Sequence, residues 1–169
     1  MEVAINTFID EAQQDIFHQF DLGGVFPGHE IMVNISSSII SLVSKERRQE
    51  GYVLSQRVLT ETEMRVLLPL LTLPHCCPHE ILQASYHCPF DKLVQALFSH
   101  DVTARVQWNQ QVHMYRERLF LAHQQGTKRA EMRGVYNALF GLRQKLEQMG
   151  ISIRARRDGY YLYPLKKNL

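Results

Sequence analysis

The chain has 169 residues, with 45% hydrophobic and 21% charged residues, a globular composition able to bury one ordinary core or two small ones. No window approaches the ~20 unbroken apolar residues of a membrane span, and Met1-Glu2-Val3-Ala4 lacks the basic-then-apolar layout of a secretory leader, so the expected location is cytoplasmic, with no membrane partner. The net charge of +2 is unevenly placed: from Arg116 onward twelve Lys/Arg face four Asp/Glu, a formal +8, whereas residues 1–115 hold seven against thirteen, a formal −6. A basic half joined to an acidic half suits a chain whose basic half meets a polyanion, although an unevenly charged solvated surface would look the same.

In chain order, Ile5, Phe8, Ile9, Ala12, Ile16 and Phe20 recur at helical spacing, which predicts an amphipathic helix over 3–20. Gly23-Gly24 and Pro27-Gly28 then punctuate the chain. Residues 30–50 fit either period: Ile31, Val33 and Ile35 alternate like a strand, while Met32, Ile35, Ile39 and Leu42 suit a helix. The charged run Lys45–Arg48 before Gly51 resembles a capped helix end and tips the reading to helix. Residues 52–59 are expected to be extended. Thr60-Glu61-Thr62-Glu63 then forms a capping box opening a helix with Met64, Leu67, Leu68 and Leu71 inward, stopped at Pro74. Pro78 and Pro89 mark two further helix starts, with Leu82 and with Leu93, Ala96 and Leu97 inward. Residues 103–124 predict another helix, broken at Gly126.

The strongest pattern comes last. Met132, Val135, Leu139, Leu142, Leu146 and Met149 lie on one side of a predicted helix over 127–149. Its opposite side carries Arg133, Asn137, Phe140, Gly141, Gln144 and Gln148, flanked by Lys128, Arg129, Arg143 and Lys145. Arg, Asn and Gln match the donor and acceptor patterns of guanine and adenine edges in the major groove, and small residues at Ala130 and Gly141 leave room for close approach. Ile151–Arg157 next alternates with period two, Asp158-Gly159 is a strong hairpin-turn signal, and Tyr160–Tyr163 returns as a second strand. Arg157 is then expected opposite Tyr160, with Arg154, Arg156, Tyr161 and Tyr163 on the outer face, offering charge and hydroxyls to phosphate and sugar. The plainer reading is a solvated hairpin whose arginines cover tyrosine rings.

Leu142-Arg143-Gln144-Lys145-Leu146, the strand Ile151–Arg154 and Gly159-Tyr160-Tyr161-Leu162 together resemble the end of the OmpR/PhoB-type winged-helix DNA-binding domain. Leu59–Glu63 resembles the opening of that family's first helix and His79–Leu82 its second. The resemblance spans about residues 52–165. It implies a fold that is mainly α with a small β component, a winged helix-turn-helix with additional N-terminal and inserted helices. The domains would be an N-terminal helical segment over 1–51, accessory or dimer-forming, and a winged helix over 52–169 with a helical insertion at about 86–126. It also implies a sequence-specific transcription regulator that binds double-stranded DNA, alone or as a homodimer. Lys128, Arg129, Arg133, Asn137, Arg143, Gln144, Lys145, Arg154, Arg156, Arg157 and Tyr161 are the expected DNA contacts. The rival is a winged helix that docks proteins instead, which Phe140 suits.

Three departures stand out: residues 86–126 insert helical material where the family usually has a short loop, Arg157 replaces a frequent glycine before the hairpin tip, and no receiver-like α/β alternation precedes the domain. Phosphorelay control is therefore not implied. His75, Cys76, Cys77, His79, His87 and Cys88 crowd together without the spacing of a zinc ribbon or finger, so no metal and no cofactor is expected. No phosphate loop, GxSxG or HExxH appears, and an enzyme is not expected.

Overall fold

The computed structural model describes residues 3–10, 15–45 and 53–165. In chain order these form β1 (Ala4–Asp10), β2 (Asp15–Asp21), β3 (His29–Asn34), β4 (Ile39–Ser44), β5 (Val53–Val58), α1 (Glu61–Thr72), β6 (Cys77–Pro78), α2 (His79–His87), α3 (Phe90–Phe98), α4 (Val102–Gln124), α5 (Lys128–Glu131), α6 (Arg133–Glu147), β7 (Ile151–Arg156) and β8 (Gly159–Pro164). Of the described residues 48% are helix and 30% strand, an α+β fold and not the mainly α one expected.

The difference lies before residue 59. The segments expected to be N-terminal helices are strands β1–β4, and with the segment expected to be extended, which is β5, they make an antiparallel meander in the order β1-β2-β3-β4-β5. The spacing of Ile5, Phe8, Ile9, Ile16 and Phe20 mimics a helix because these residues belong to both faces of a hairpin. Phe20 is buried in the core, whereas Phe8 stacks on Phe17 across the strand pair at 5.2 Å. Ala12 lies outside the described residues, as do positions 46–48 and Gly51 of the expected helix end. Over 29–44 the strand period wins. Ile31, Val33 and Ile40 are buried on the face turned to the helices, and Ser38 takes a left-handed φ of 56° in the β3–β4 turn.

From Thr60 to Gly126 the local signals hold. The Thr60 hydroxyl accepts from the Glu63 N–H, and the Glu63 carboxylate accepts from the Thr60 N–H, so α1 starts at the box. Pro78 and Pro89 precede α2 and α3, and Gly126, at φ 73°, follows α4. The expected single helix over 127–149 is two pieces, α5 and α6. They are separated at Met132, whose side chain is fully buried. One apolar core joins the sheet (Phe20, Ile31, Val33, Ile40) to α1, α2, α6 and the β7–β8 hairpin.

The second sheet has the order β6-β8-β7. Its hairpin turns at Arg157-Asp158, one residue earlier than expected: Arg156 pairs with Gly159, Arg154 with Tyr161 and Ile153 with Leu162. Neither turn residue has positive φ. Gly159 is required for a different reason, since β6 crosses it so closely that a Cβ there would stand 2.0 Å from the Cys77 carbonyl oxygen. The glycine serves backbone approach and not the turn.

Candidate nucleic-acid interface

α6 packs its Val135–Leu139–Leu142–Leu146 face into the core, all four residues being buried. Arg133, Asn137, Phe140 and Gln144 fall within a narrow sector on the opposite side and are exposed. Their side chains make no hydrogen bond or ion pair among the described residues. A guanidinium, two carboxamides and an aromatic ring therefore stand on a helix whose position the core fixes. Glu147, exposed in the same sector one turn past Gln144, ends the stripe with a negative charge, and Gln148 accepts a hydrogen bond from Arg57 Nε at 2.8 Å.

The flanks of this stripe differ from expectation. On the α1 side, Lys145 Nζ lies 2.6 Å from Glu63 Oε2 and is half-buried. Gly141 does not open the helix to a ligand, because a Cβ there would come within 2.6 Å of Glu63 Oε1. The glycine makes room for the carboxylate that closes the capping box and binds Lys145. On the hairpin side, Arg143 Nε donates to the Ile153 carbonyl at 3.2 Å and ties α6 to β7. Near the start of α5, Lys128 Nζ sits 3.5 Å from His79 Nδ1. Burial first, and then the Lys128 charge, hold the His79 imidazole below its ordinary pKa, so near neutral pH it is a neutral acceptor facing the ammonium. Lys128, Arg143 and Lys145 thus have internal partners, whereas Arg129 and Arg133 are exposed and have none among the described residues.

The hairpin follows the expected alternation only in part: Ile153 and Leu162 face the core, but Ala155, expected beside them, is exposed and Ser152 is buried, because β7 leaves the core towards the tip. Ile151, Ile153, Tyr160 and Leu162 are buried. Outward, the Arg154 guanidinium lies 4.0 Å over the Tyr163 ring and that of Arg156 4.2 Å over Tyr161. These diagonal cation–π pairs stiffen the arginines and leave their N–H edges available. Arg157 is exposed at the tip.

A groove beside that tip is not foreseen in the sequence. Pro78, His79 and Glu80 of the α2 start, Arg116, Phe120 and His123 of α4, Lys128, Arg157 and Asp158 line it. Arg116 and His123 sit seven residues apart, on one face of α4, a spacing visible in the sequence. Their place beside the hairpin is not visible there, because it depends on how α4 packs across α2. Arg116 Nε donates to Glu80 Oε1 at 3.1 Å. Cys76, Cys77 and Cys88 are free thiols, and burial pushes Cys77 and Cys88 up in pKa, away from reactive thiolate. Among the described residues no three His, Cys, Asp or Glu side chains stand together to hold a metal ion, and no helix is long and apolar enough to cross a membrane.

Compared with known proteins, the chain matches no family model, no curated protein and no solved structure.

Proposed function

We propose that the chain is a sequence-specific regulator of transcription that binds duplex DNA with α6 in the major groove and the β7–β8 hairpin as a wing on the backbone. The observation that carries this reading is the unpartnered stripe Arg133, Asn137, Phe140 and Gln144, whose polar members are suited to base edges, on a helix rigidly seated in the core. The OmpR/PhoB-type resemblance supports it. The segments that carry the resemblance, Leu59–Glu63, His79–Leu82, Leu142–Leu146 and Ile151–Leu162, lie at the start of α1, in α2, in α6 and in the hairpin. In this reading Arg133, Asn137 and Gln144 meet bases. Arg129, Arg154, Arg156, Arg157 and Tyr161 meet phosphate and sugar, while Lys128, Arg143 and Lys145 mainly position the helix.

A salt titration of three proteins on a selected duplex and on random duplex tests it. Asn137→Ala is expected to lose about 1–3 kcal/mol on the selected site and much less on random DNA. Arg156→Ala is expected to weaken both equally and to lower the slope of log affinity against log salt by about one. Equal loss from both variants on every sequence rejects α6 as the reading element.

Phe140, 64% exposed at the middle of the stripe, together with the internal partners of Lys128, Arg143 and Lys145, favours a second reading in which the same face docks a protein. That reading predicts Phe140→Ala to be the most damaging change on the stripe and the affinity to depend only weakly on salt.

A further inference from the structure

The meander leaves two edge strands, β1 and β5, and they are protected very differently. β5 carries Arg57, which reaches across to Gln148, and its pairing with β4 is interrupted by an irregularity at Leu42/Val43. Charges and bulges of this kind discourage another strand from adding to an edge. β1 has neither. It pairs with β2 in unbroken register from Ala4–Asp21 to Asp10–Asp15, and from Val3 to Ile9 it contains no charged residue and no proline. No strand among the described residues pairs with its outer edge. Its end is apolar and exposed: Ile9 is 62% exposed, and Phe8 and Ile16 stand open beside it.

We propose that β1 is a dimer interface, pairing antiparallel with β1 of a second copy of this chain so that the two five-stranded sheets become continuous. The charge pattern selects this occupant. Self-pairing centred on Thr7 sets Ile5 beside Ile9 and Asn6 beside Phe8. It places the strand's single charge, Asp10, against Ala4, so no like charges oppose each other. Antiparallel self-pairing is isologous and closes at two copies, so it satisfies the edge without building a fibre. The inference goes beyond the proposed function and does not depend on it, although a symmetric dimer would present two copies of α6 to paired half-sites.

Light scattering on the full chain at about 100 µM is expected to give twice the 19.7 kDa chain mass. Ile9→Lys, at a position exposed in the single chain, is expected to halve it, whereas Val58→Lys on the opposite edge leaves it unchanged. Hydrogen exchange of the 4–9 amides is expected to slow as wild type is concentrated and not to slow in Ile9→Lys. Asn6→Lys, also exposed, replaces Ile9→Lys if circular dichroism shows that variant unfolded. A wild-type mass of one chain, a dimer that survives the lysine in β1, or one dissociated by Val58→Lys overturns the proposal.

Discussion

Gly159 and Gly141 both lack a Cβ because something occupies that space, and the consequences of filling it differ. At Gly159 the obstacle is the backbone of β6, which cannot move without breaking the second sheet. Gly159→Ala is expected to cost on the order of 3 kcal/mol and to lower the melting temperature clearly. At Gly141 the obstacle is the end of the Glu63 side chain, which can rotate away at the expense of its bonds to Thr60 and Lys145. Gly141→Ala should therefore cost less than Gly159→Ala in the same melting experiment, and the reverse order would contradict both assignments. His18 offers a residue-scale test in pH. It is 2% exposed on β2, shares a 2.8 Å hydrogen bond with Thr7 and stacks on Phe98 at 4.2 Å, and its Nε2 is buried with no hydrogen-bond partner among the described residues. Burial holds its pKa below the ordinary 6.5. The unfolded chain therefore takes up the proton first as pH falls. The stability from keeping His18 neutral is fully present above pH 6.5 and is lost as pH drops from there through the folded-state value. His18→Phe keeps the stack and removes the titrating ring, so its melting temperature should fall less than that of wild type between about pH 7 and 5. An identical fall in both proteins would place the acid sensitivity at His79 and His87, whose pKa values burial also lowers.

At the scale of elements, α1 depends on its cap. Thr60→Ala removes the hydroxyl that accepts from Glu63 N–H and is expected to cost about 1 kcal/mol in chemical denaturation. A loss near zero would mean that tertiary packing alone fixes the helix start. The capping box, the proline starts and the six-residue core stripe of Met132–Met149 are legible in the sequence because each signal is local and every stripe residue is buried. The break at Met132 is not, because α5 buries no residue of its own and the apolar stripe only begins at the junction, so no change of period marks it. The β1 and β2 strands are not legible either, and over β3 and β4 the strand period is only one of two that fit. They are fixed by pairing between residues as distant as Ala4 and Asp21, and Phe8 and Phe17 become partners only across a hairpin. In the candidate site the stripe itself can be read from helical spacing. The internal partners of Lys145, Arg143 and Lys128 come from α1, β7 and α2, and no spacing within α6 announces them.

Across the whole molecule, the core that seats α6 is shared with the N-terminal sheet through Phe20, Ile31, Val33 and Ile40. The acidic first half of the sequence and the basic second half therefore fold around common apolar residues. The most direct test of DNA binding is to mix wild-type protein with a random duplex of about 20 base pairs and follow fluorescence anisotropy from about 50 to 200 mM salt. A basic reading helix and wing predict measurable binding at the low end that weakens steeply and linearly on a log–log plot. No binding at about 50 mM salt, or an affinity indifferent to salt, would contradict them.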